Sequence, residues 1–268
     1  MKSAAVLNLT LLAAMQCTAA TAQQVSSDEL NKSNNPLNPA ITLNFHNYYY
    51  PPTSGPVSVD GNAFWLRGMV PAMIFDTPNL FRFSMPYITE PTLGGGHTSG
   101  WGDLVVFDIP VFEQKGWAFG VGPLFSFPTA SEDRFGSGKW QAGAAGAFVV
   151  PRDWGLIGGL GTYQKSFAGD EDRADVELAE FQPFIFYNLP NGFYLQSTAS
   201  WTYNFENDNW AIPVGLGVGK MFQLTDDLKM NAFVEPQYTV ASEGIAPDWK
   251  VFFGLTFSYS LDKFIKKQ

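Results

Sequence analysis

Thiols, histidines and charged residues are all scarce in this sequence. It has one cysteine, Cys17, and two histidines, His46 and His97, in 268 residues. That excludes disulfide scaffolds, thiolate metal sites and histidine-rich metal centres. Charged residues make up 15% of the chain, against about 25% in soluble proteins. Among those charges, 16 Lys and Arg face 25 Asp and Glu, a net charge of -9. Nucleic acid and charge-driven docking on an anionic lipid surface both need a basic footprint, so both are excluded. Beyond the N-terminus there is no apolar run of about 18 residues, which rules out a helical transmembrane bundle. Helical periodicity long enough for a core helix and repeats of fixed signature are missing as well.

Aromatic residues are abundant instead. They make up 16% of the chain, with 24 Phe, 10 Tyr and 8 Trp, yet mean hydropathy is only -0.05. Apolar residues must therefore be interleaved with polar ones. The first segment stands apart: Lys2, the apolar stretch from Ala4 to Met15, and Ala20-Thr21-Ala22 form a secretory signal peptide over residues 1–22. Its removal takes Cys17 with it. Residues 23–39 are polar and Asn/Ser-rich and read as a flexible periplasmic lead-in.

From residue 40 to residue 259 the chain consists of short alternating runs bounded by Gly, Pro, Asn and Asp. Twelve strands are predicted, near 40–50, 62–75, 79–89, 101–112, 116–127, 138–150, 154–166, 176–187, 192–204, 210–222, 229–240 and 249–259. Their connections alternate between long and short, as in outer-membrane barrels with external loops and periplasmic turns. The fifth strand sets Trp117, Phe119, Val121, Pro123, Phe125 and Phe127 against Ala118, Gly120, Gly122, Leu124 and Ser126. The ninth and last strands alternate similarly, and their second faces carry Gly, Ser, Thr, Asn and Gln rather than Lys and Glu. Such faces suit a lumen better than a water-exposed sheet. Aromatics near strand ends, among them Tyr48, Trp65, Trp101, Trp117, Trp140, Trp154, Trp210 and Trp249, suit interfacial girdles. The expected fold is all-β: a closed antiparallel up-and-down transmembrane β-barrel of about twelve strands in an outer membrane. Residues 260–268 follow as a tail.

Several stretches resemble a known family. Gly102-Asp103-Leu104-Val105-Val106, the run Gly116-Trp117-Ala118-Phe119-Gly120-Val121-Gly122-Pro123, Pro128-Thr129-Ala130, and Phe181-Gln182-Pro183-Phe184-Ile185-Phe186-Tyr187-Asn188 carry the likeness. They are similar to the phenol meta-pathway degradation family of outer-membrane proteins, often called transporters. The resemblance implies a barrel that takes up aromatic or other apolar compounds, and it brings no catalytic or ligand residues. The sequence departs from the usual barrel ending, because Tyr259 is followed by Ser260 to Gln268, with Lys263, Lys266 and Lys267.

Chemistry-bearing clusters are few. His97-Thr98-Ser99 is a weak hydrolase signal, and the glycines of Gly94-Gly95-Gly96 and Gly215-x-Gly217-x-Gly219-Lys220 precede no helical pattern, so they are not phosphate loops. No enzyme, cofactor or metal is expected. The informative residues are charged or amide side chains inside strands, because a charge facing lipid costs about 2–4 kcal/mol. Arg67, Arg82, Asp108, Glu180, Gln182, Gln196, Glu235 and Gln237 are therefore expected to line the lumen. They form either a solute-selecting lining or an internal ion-pair network. Asp103 is expected at the exposed rim. The acidic loop residues Glu132, Asp133, Asp170, Glu171, Asp172 and Asp175 are expected on a solvated surface, with cation binding the alternative. The leading function is passive passage of a small organic solute; the alternatives are a structural barrel without transport and a rim-active hydrolase. Expected partners are outer-membrane lipid and lipopolysaccharide, the barrel-assembly machinery and the solute.

Overall fold

Alternation at period two gives every strand one face for an apolar exterior and one for the interior, and closing the sheet leaves no edge. The computed structural model describes residues 25–52, 60–92 and 95–261. The predicted signal peptide and all but the first two residues of the tail lie outside the described residues. Helix α1 spans Ser27–Asn34, and twelve barrel strands follow. These are β1 Ala40–Tyr50, β2 Gly61–Ile74, β3 Thr77–Pro91, β4 His97–Trp101 continued as Leu104–Gln114, β5 Trp117–Phe127 and β6 Lys139–Arg152. Then come β7 Gly155–Gly169, β8 Glu177–Asn188, β9 Phe193–Ser197 continued as Trp201–Asn204, β10 Asn209–Gly215 continued as Gly217–Gln223, β11 Leu228–Glu243 and β12 Trp249–Ser260.

Each strand pairs antiparallel with the next, and β1 pairs with β12 from Ala40↔Ser260 to Tyr49↔Val251, which closes the barrel. The predicted strand count and alternating loop lengths are found. The turn between β2 and β3 is Phe75-Asp76, one residue earlier than predicted; both residues have positive φ, at 47° and 61°. Outward faces are apolar and exposed, as at Val121 (62%) and Val240 (54%), while Leu124 (1%) and Tyr194 (1%) face inward. Outward aromatic pairs gather at both ends. Trp117 stacks with Phe119 and Trp154 with Tyr187 at the short-turn end, and Phe127 meets Trp140 and Tyr238 meets Trp249 at the long-loop end. Trp65 and Tyr48 are corrections to the girdle reading. They pair with His46 and Phe252 respectively and face the lumen.

The expected flexible lead-in is, over its described part, a capped helix seated in the short-turn end. Ser26 caps α1 through the amide of Glu29 (3.2 Å), and the Glu29 carboxylate accepts from the Ser26 amide (3.1 Å). Leu30 is 1% exposed and packs on Tyr194 and Met221. Leu37, just beyond the helix, joins Met69, Leu80, Ile109, Leu124 and Phe184 in a dry cluster.

The outward assignment is testable at Val121. Val121→Arg should destabilise the bilayer-inserted barrel by about 2–4 kcal/mol, whereas Val121→Leu should be neutral. Equal folding yields of the two variants in lipid vesicles would show that this face does not meet lipid.

Candidate functional site

The lower lumen is a packed apolar core. Val105, Phe107, Ile109 and Val111 of β4 face inward, where Ile109 and Val111 are 2% and 7% exposed. This overturns one lumen assignment. Asp108 has the opposite parity, pairs with the 44%-exposed Phe81, and lies on the outward face. Both faces of β4 are apolar, the inward one because it packs on the cluster that Leu37 of the N-terminal segment joins, so an apolar face does not mark the lipid side here. Asp108 Oδ1 is buried without a hydrogen-bond partner.

Four other predicted residues meet at one point. Glu235 on β11 is 0% exposed, and four donors converge on its two oxygens. Gln196 Nε2 (2.7 Å) and Thr198 Oγ1 (2.7 Å) donate to one oxygen; the Thr198 amide (2.9 Å) and Gln237 Nε2 (3.0 Å) donate to the other. Gln182 Nε2 donates to the Thr198 carbonyl at 2.8 Å. Glu235 reaches β9 by lying across β10, in the row Gln196–Gly217–Glu235. Two glycines make that possible. A Cβ on Gly215 would overlap the Glu235 carboxylate, and one on Gly217 would lie 2.6 Å from Glu235 Cβ. At this row both β9 and β10 are interrupted, at 198–200 and at Leu216. The Thr198 peptide therefore bonds to side chains instead of a ladder partner. Hydrogen bonds to a charged group are worth about 1.5–3 kcal/mol each, which offsets the burial of a carboxylate that lacks a cation in contact.

Arg67 and Arg82 occupy the opposite wall. Arg67 Nη1 lies 3.2 Å from His46 Nδ1, while His46 Nε2 lies 3.0 Å from Thr256 Oγ1. The guanidinium of Arg67 packs over Trp65 at 4.5 Å, and that of Arg82 lies 5.6 Å from the Phe107 ring centre. Among the described residues no ion pair involves Arg67, Arg82, Glu180 or Glu235, so the expected internal ion-pair network is not what holds these charges. Glu180 is exposed within the row Thr162–Glu180–Thr202. Between the two walls lies a cavity of about 180 Å³, floored by Ser33, Asn34, Asn35 and Pro36.

The long-loop end is partly roofed. A one-residue bulge in β4 aims Asp103 inward, where it accepts from the Ser137 amide and hydroxyl, each at 2.8 Å, and from the Ala130 amide at 3.2 Å. Asp103 is therefore the anchor of the 128–138 loop rather than an exposed rim charge. Arg173 fastens the same loop by donating to the carbonyls of Asp133 (2.7 Å) and Gly136. Lys139 lies 3.1 Å from Asp175, and its ammonium holds that carboxyl below the ordinary aspartate range. No acidic group able to hold a metal occurs among the described residues. His97 and Ser99 do not engage each other: His97 Nε2 lies 3.2 Å from Asp60 and Ser99 Oγ lies 3.1 Å from the Tyr87 hydroxyl. A hydrolase would need its base on its nucleophile.

No protein-family model matches the chain, and no curated protein matches it in sequence. Solved structures do. The COG4313 outer membrane channel from Pseudomonas putida F1 is 16% identical with a TM-score of 0.61, over 82% of this chain and 95% of that one. The NanC porin is 14% identical with a TM-score of 0.50, over 82% of this chain and all (100%) of its own. At such identities the likeness establishes a shared fold, the closed twelve-stranded barrel of the outer-membrane type.

The Glu235 cluster makes a direct prediction. In Glu235→Gln an amide nitrogen must face at least one of the four donors, so the barrel should lose about 1.5–3 kcal/mol. Heat-modifiability gels should show unfolding at a lower temperature. An unchanged transition would mean that the carboxylate is not held by these donors.

Proposed function

We propose that this chain is an outer-membrane channel for passive passage of a small organic solute, with its short turns and both strand termini on the periplasmic side. The observation that carries this reading is how the lumen is closed. Its floor is the segment from α1 to Leu37, which enters the sheet ladder nowhere. Side chains hold the segment: Asn31 donates to the Arg152 carbonyl (2.8 Å), Asn188 to Asn31 (2.9 Å) and Asn231 to Ser33 Oγ (3.0 Å). Leu30 and Leu37 supply the apolar contacts. Such a segment can leave without breaking the barrel, and above it the lumen already holds a polar and aromatic cavity. The likeness to outer-membrane channels supports the location, and the family resemblance supports an aromatic or apolar solute. Insertion by the barrel-assembly machinery, with lipid and lipopolysaccharide around the apolar belt, belongs to the same reading.

Liposome swelling against sugars, amino acids and small aromatic solutes tests it. Leu30→Asp with Leu37→Asp places carboxylates in two dry clusters and should release the segment. Flux should rise about tenfold or more, the change that about 1.4 kcal/mol makes in an equilibrium. If neither the native nor the released barrel passes any solute, the chain is a structural barrel.

A further inference from the structure

The charges at the middle of the lumen do not balance. Three cations face it, Arg67, Arg82 and Lys250, against two carboxylates, Glu180 and Glu235. Glu235 already accepts four hydrogen bonds. Arg67 is engaged by His46 and Trp65, but Arg82 Nε is buried without an acceptor. A guanidinium with one buried N–H unmet and, among the described residues, no carboxylate in contact is unfavourable, and a planar anion brought to it would supply the charge it lacks.

What else surrounds the cavity decides the anion's other half. Phe184, Phe186 and Tyr194 come from β8 and β9, and Phe233 with Phe252 from β11 and β12. Phe233 and Phe252 already meet edge-on at 4.8 Å, and Phe186 meets Tyr194 at 5.8 Å, geometries in which a further ring can be accommodated. The volume of about 180 Å³ compares with the roughly 150 Å³ apolar cavity that holds one benzene molecule. There is room for one ring and one short substituent.

We propose that this cavity is a binding site for a small aromatic monocarboxylate, its carboxylate on Arg82 with Arg67 beside it and its ring among the phenylalanines. A single negative charge matches the surplus of one positive charge. The Ser33–Pro36 floor lies directly beneath the site, so the ligand sits against the segment that closes the lumen. The inference rests on the proposed channel only for the ligand's being the transported solute; the binding site stands without it.

Benzoate is the probe, measured by calorimetry on the full-length refolded barrel in detergent. Acetate lacks the ring, benzyl alcohol lacks the charge, and benzylammonium reverses it. Benzoate should bind at one saturable site, at least about tenfold more tightly than any of the three. Arg82→Gln should weaken it about tenfold, and Arg82→Lys by less, because the charge stays while the planar fork is lost. Benzoate binding no tighter than both acetate and benzyl alcohol overturns the proposal on the native protein alone, whether or not the variants fold. So does full affinity in a folded Arg82→Gln barrel. Swelling assays separate this from the channel reading: benzoate binding without flux of any solute leaves the site and removes the channel, and flux with no preference for benzoate binding does the reverse.

Discussion

Every backbone amide and carbonyl in an apolar layer needs a partner within the protein, and the rest of this molecule follows from that requirement. Closure of β1 on β12 meets it almost everywhere. At Thr198 the ladder lapses, and there side chains from two other strands substitute: Glu235 takes the amide and Gln182 gives to the carbonyl. The most buried carboxylate of the barrel is thus part of its backbone accounting. That explains why it needs no cation, and why the strand it crosses carries glycine at 215 and 217.

The same requirement divides the lumen into two regimes. Below, the N-terminal segment supplies Leu30 and Leu37, and the inward faces of β2 to β8 respond with aliphatic side chains that need no hydrogen bonds. Above the segment, beneath the loop roof, the inward faces turn to Asn, Gln, His and Arg. An interior of this kind is neither a wide aqueous pore nor a solid core. The two regimes meet at the level of the two arginines and the phenylalanines.

Much of this was legible in the sequence wherever one strand carried two chemically different faces. β5, β9 and β12 each do, and together with the alternating connections they make strand count and closure readable, while the inward expectation for Arg67, Arg82 and Glu235 rests on the cost of a charge facing lipid. Asp108 was misplaced because β4 has Val106 and Phe112 on one side and Val105, Phe107 and Ile109 on the other. With no polar face, parity has no sign. Helix α1, at eight residues, is too short to show a 3.6-residue period, yet Ser26 and Glu29 stand three apart as a capping box and were its available signal. The convergence on Thr198 was beyond reach, since it joins residues from β8, β9 and β11 through a gap that no single strand's pattern records.

The way the floor is fastened bears on what force could lift it. Its polar anchors are amides and a hydroxyl; among the described residues its one ionic contact is Glu29 to Lys229 at 3.9 Å. Between Ser27 and Leu37 it carries Asp28, Glu29 and Lys32, one net negative charge, seated at one end of the bore. Membrane voltage does work of about 2.3 kcal/mol per charge moved through a full 100 mV drop, and a single charge near one end traverses little of that drop. Salt screens ionic contacts and leaves amide hydrogen bonds almost untouched. A segment fastened this way is nearly insensitive to the electrical and ionic state of its surroundings, and only a change in its apolar packing or its amide hydrogen bonds would loosen it.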